Sequence, residues 1–113
     1  MNLDDSLREL LVATLQKSGH RILEANTPET AIELATAHKE EVQLLLSDVV
    51  MPRISGVQLF ELLQKSSPQL KAIFMAAYAS EMRSRRDRLP SNSLFIEKPF
   101  SKESLLFIIH RAL

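Results

Sequence analysis

The stretch "LLLSDVVMPRISGVQL", residues 44–59, decides the fold. A continuous apolar run of this kind suits a strand covered on both faces. It ends in Asp48, and Pro52 and Gly56 then shape a loop before an amphipathic stretch begins. A carboxylate at the end of a buried strand needs a reason.

Working outward, strands and helices alternate. Leu3, Leu7, Leu10, Leu11 and Leu15 fall at helical spacing, and Gly19 is placed to close a helix over residues 4–18. "HRILEA" reads as a short strand. "TPETAIELATAHKE" starts a helix with Thr27 as N-cap, Pro28 at the first helical position and Glu29 in the first turn. "VQLLLS" is a buried strand, and residues 56–65 form a helix. "LKAIFMAA" is a second buried strand. Residues 80–89 form a polar, arginine-rich helix, whose "RSRRDR" reads as a solvated face. "SLFIE" is a last strand, and Ser101 caps a final helix with Leu105, Leu106, Ile108 and Ile109 on its inner face. This alternation argues for a parallel sheet with helices on both faces. The chain begins with a helix, and no strand precedes it.

Composition bounds the function. The 113 residues suit one domain, read over residues 1–113. The 14 basic and 14 acidic residues cancel, which gives no support to a nucleic-acid or anionic-membrane surface. The absence of cysteine removes disulfides, thiolate metal sites and thiol nucleophiles. No apolar run is long enough to span a bilayer. The expected location is the cytoplasm.

In an open parallel sheet, ligands sit beyond the carboxyl ends of the strands. Asp48 and Lys98 each end a predicted strand, so they should converge at one sheet edge. Two readings stand: a plain ion pair, or a site for a charged group.

"LLLSDVVMPRISGVQLFELL", "AIFMAAYAS" and "FIEKPFSKESLLFIIHRAL" together resemble the receiver domain of two-component response regulators, above all the receivers of hybrid sensor kinases. The resemblance implies a flavodoxin-like (CheY-like) three-layer α/β sandwich with a parallel sheet, and a signalling module rather than an enzyme. It implies that Asp48 takes a phosphoryl group from a histidine kinase or phosphotransfer protein. Mg²⁺ and Lys98 would stabilise the transferring group. Asp48 and the backbone carbonyl of Val50 match metal ligands. The backbone N–H groups of Val50 and Ala77 match phosphoryl donors. Ala76 and Phe95 match the switch positions.

Three departures stand out. The family's acidic pair would fall at or before residues 1–2, so Mg²⁺ binding should be weak. Asp4 and Asp5 are either first-turn acids favoured by the helix dipole or substitute ligands. Ala76 lacks the hydroxyl the family carries there, which leaves Phe95 a packing role. The family's first, central strand is missing, as in an N-terminally truncated domain. Buried backbone groups without partners cost about 1–3 kcal/mol each. The expectation is therefore that "RILEA" pairs directly with "VQLLLS", or that a second molecule fills the gap and makes a homodimer. A degenerate, non-phosphorylated interaction module and a fragment without its own function are the rival readings.

Overall fold

The computed structural model describes residues 5–49, 53–76, 92–98 and 100–113. Helix α1 spans Asp5–Lys17, α2 Pro28–Ala37, α3 Gly56–Gln64 and α4 Lys102–Ala112. Strands β1 (Leu44–Asp48), β2 (Lys71–Ala76) and β3 (Ser93–Glu97) form one parallel sheet in the order β1-β2-β3. The helix expected over residues 80–89 lies outside the described residues.

Local sequence sets the helix ends. Thr27 accepts the N–H of Thr30, with Pro28 opening α2. Ser55 and Gln58 form a reciprocal capping box at the start of α3. Gly19 has φ of 87°. The His20 N–H donates to the Leu15 carbonyl and the Gly19 N–H to the Gln16 carbonyl. This is the paired closure that a left-handed residue permits at a helix end.

The sheet separates two apolar layers. Ala72, Phe74 and Ala76 of β2 face one layer with Leu45, Val57, Phe60 and Leu63. Ile73 and Met75 face the other with Leu11, Ile96, Leu105 and Ile109. This period of two delivers successive side chains to opposite faces, so β2 is buried along almost its whole length. The sequence therefore reads as an uninterrupted apolar run.

The reading of "HRILEA" as a strand needs correction. Residues 20–25 take no strand structure and do not pair with β1. The reason lies in α1, whose Leu11 and Leu15 belong to the layer formed with β2, β3 and α4. Direct pairing requires α1 to leave that layer. The segment instead lines a cavity of about 750 Å³ whose opposite side is Leu44–Leu46. The expectation that an open gap is too costly also changes. A space this large admits water, and hydrated backbone groups do not carry the penalty of dry ones.

Candidate functional site

The parallel register brings two charges together. Asp48 lies opposite Met75, which lies opposite Ile96, and Lys98 follows just beyond the end of β3. The Lys98 backbone N–H donates to the Ala76 carbonyl at 2.7 Å, carrying the ladder one step past β3. Its ammonium then reaches the Asp48 Oδ1 at 2.5 Å. Asp48 is 6% exposed, so the pair closes over a carboxylate that has almost no water of its own. A buried carboxylate of this kind is tolerated when paired.

The backbone behind Asp48 is held from several sides. The Val49 N–H donates to the Met75 carbonyl, and the Gly56 N–H donates to the Val49 carbonyl. The Ser47 hydroxyl, fully buried, donates to the Asp48 carbonyl at 2.9 Å. Gly56 is required by contact rather than by dihedral angle: a Cβ there would stand 2.1 Å from the Asp48 carbonyl oxygen and 3.0 Å from Ser47 Oγ. The loop's far end is set by Arg53, with φ of 71°, whose guanidinium forks onto both carboxylate oxygens of Glu29 at the start of α2.

Asp48 and Lys98 are thus brought together as the strand ends implied. Ala76 ends β2, buried, with its carbonyl on Lys98. Phe95 is half-buried and packs against the layer containing Phe60 and Phe74. Asp5 is the first residue of α1. Asp4, Val50 and Ala77 lie outside the described residues. Sequence reasoning missed Ser47 and the Arg53–Glu29 fork. A single small polar residue inside "LLLSD" was the available signal for the first. The second joins positions 24 apart and leaves no local trace.

Among the described residues no three His, Asp or Glu side chains cluster to hold a metal ion. Asp48 supplies a single carboxylate, with Oδ1 already on Lys98. That set falls short of the near-octahedral oxygen shell Mg²⁺ demands, so the described residues do not by themselves make a magnesium site.

The family model for the response regulator receiver domain matches residues 3–110. The receiver protein CpdR of Brucella abortus is 28% identical over 97% of this chain and 90% of its own length. The sensor kinase CckA of the same organism is 34% identical over 90% of this chain, which spans only 11% of that kinase. Among solved structures, the receiver domain of the hybrid histidine kinase CckA superposes with a TM-score of 0.84 at 24% identity, covering 99% of this chain and 94% of that one. Vibrio cholerae CheY4 superposes with a TM-score of 0.79 at 21% identity, covering 99% of this chain and 93% of that one.

Proposed function

Because the chain belongs to the response regulator receiver domain family of two-component signalling, we propose that Asp48 accepts a phosphoryl group from a histidine kinase or phosphotransfer protein. Members of this family are signalling modules, not enzymes. The single observation that carries the reading is the Asp48–Lys98 pair at the carboxyl edge of the sheet. In the transfer, a carboxylate oxygen of Asp48 attacks phosphorus, an O–P bond forms, and the P–N bond to the donor histidine breaks. Negative charge then spreads over the phosphoryl oxygens, and catalysis is mostly positioning and charge stabilisation. The Lys98 ammonium, already within reach of Oδ1, supplies positive charge there. The clamps on the Asp48 backbone hold the nucleophile in line.

The test is phosphotransfer from a phosphorylated histidine phosphotransfer domain, with the site mapped by mass spectrometry. The label should sit on Asp48 and vanish in Asp48→Asn. Label that survives the substitution places the acceptor elsewhere and overturns the proposal. Mg²⁺ should bind weakly, and phosphorylation by small phosphodonors should be slow or undetectable. A magnesium titration followed by NMR checks this, and tight binding would mean that Asp5 or another group has joined Asp48.

Ala76 favours a second reading. With no hydroxyl to engage a phosphoryl oxygen, the domain would act as a degenerate receiver that signals by protein contact alone. Absence of any label from a competent donor supports it. We place the domain over residues 1–113 and in the cytoplasm; among the described residues no helix is long and apolar enough to cross a membrane.

A further inference from the structure

Arg53 holds a backbone conformation that its residue type disfavours. Its φ is 71°, in the left-handed region that Gly, Asn and Asp tolerate better than a long side chain does. Such a residue persists when its surroundings hold it, and residues held this way cluster at functional sites. Glu29 holds Arg53. Nη1 donates to one carboxylate oxygen at 2.5 Å, and Nη2 donates to the other at 3.0 Å. A guanidinium offers two parallel donors for such a grip, whereas a lysine ammonium is a point charge.

The two ends of the fork are anchored differently. Glu29 lies in the first turn of α2, behind the Thr27 cap. Ala31 and Ala35 of the same helix are buried in the layer with Phe60 and Leu63, so this end is fixed. Arg53 lies where the chain has left β1 after Asp48 and is about to enter α3 at Gly56. That turn closes where the Gly56 N–H donates to the Val49 carbonyl at 2.8 Å. It also sets Gly56 so close to the Asp48 carbonyl oxygen that no Cβ fits between them. The fork thus ties the segment that follows Asp48 to a helix start 24 positions earlier in the chain. The two side chains are 59% and 61% exposed. An ion pair this open to solvent adds little to global stability, so its effect is local.

We propose that the Arg53–Glu29 fork is a latch that positions Asp48 for phosphoryl transfer. With position 53 tied to α2, the turn stays closed on Gly56 and the Asp48 backbone keeps one placement. Without the tie, the turn opens more often and the carboxylate samples other placements. In-line attack tolerates little displacement, and a misplacement of about 1 Å can cost about a hundredfold in rate. Arg53 is therefore a positioning residue that acts through the turn and not on phosphorus. The inference rests on the reading of Asp48 as the phosphoryl acceptor.

The test compares the full chain with Arg53→Gly, Glu29→Gln and the double variant. Glycine at 53 removes the fork and relieves the backbone, so the urea midpoint should stay near that of the parent. Hydrogen exchange at the Gly56 N–H should rise about fivefold in Arg53→Gly, with Ile73 and Phe74 unchanged. Transfer from a phosphorylated histidine phosphotransfer domain should slow about tenfold at saturating donor, with half-saturation unchanged. The double variant should be no slower than Arg53→Gly, because the two residues act as one pair. Unchanged exchange at Gly56 overturns the proposal, as does exchange that rises equally at Ile73 and Phe74, which marks a purely structural role. A change confined to half-saturation also overturns it and assigns Arg53 to donor docking. A labelled parent with an unaltered Arg53→Gly rate removes the latch alone. A parent that takes no label removes the Asp48 reading itself, and the latch with it.

Discussion

Gly56 shows how closely the residues around Asp48 are fitted. At the first position of an exposed helix, Gly→Ala ordinarily gains up to about 1 kcal/mol. Here the added methyl would meet the Asp48 carbonyl oxygen at 2.1 Å, and backbone cannot swing aside as a side chain can. The sign therefore reverses. Gly56→Ala should destabilise the domain by about 1–3 kcal/mol, the range for overpacking a filled site. Urea denaturation reads this directly, and a variant as stable as the parent would mean that the loop before α3 relaxes freely. Glycine in "RISGVQ" was legible as a turn residue. Its reason, a carbonyl pressed against it from eight positions earlier, was not, because close approach is a property of three dimensions.

At the scale of elements, the sequence located β3 residue for residue at Ser93–Glu97 and α3 to within one residue at its end. Both carry strong signals: an apolar run bounded by polar residues in one case, an amphipathic stretch opening at a glycine in the other. "HRILEA" carries a comparable signal and is not a strand. A ladder needs a neighbour, and propensity reports only fit to a pleated surface. Convergence of Asp48 and Lys98 was legible because parallel topology puts all strand ends on one side. Burial inside α1 offers a sharper test of packing. Thr14 is 6% exposed and its hydroxyl has no hydrogen-bond partner among the described residues. A buried hydroxyl without a partner costs on the order of 1–3 kcal/mol, while valine has nearly the same shape and a similar helix propensity. Thr14→Val should therefore raise stability by roughly 1 kcal/mol. A lower denaturation midpoint would show that the hydroxyl is satisfied in solution.

Across the whole molecule, the sheet is asymmetric. β2 is paired on both sides, whereas β1 meets β2 on one side and the cavity on the other. Exchange with solvent should follow that asymmetry at single-residue resolution. The Leu45 N–H belongs to the set directed at β2 and requires the sheet to open before it exchanges. The N–H groups of Leu44 and Leu46 face a space that water can enter, so local access suffices. In the chain alone at low concentration, protection along β1 should alternate: low at Leu44, high at Leu45, low at Leu46. The amides of Ile73 and Phe74, central in β2, should exchange at the rate of global unfolding. Uniform high protection from Leu44 to Leu46 would mean the edge is covered in solution, and concentration dependence would separate a second copy from a segment of the same chain. Uniform low protection would mean that β1 opens as a unit. That outcome would also remove the rigid platform on which Asp48 is proposed to react, so one measurement at the far edge of the sheet bears on the chemistry at its end.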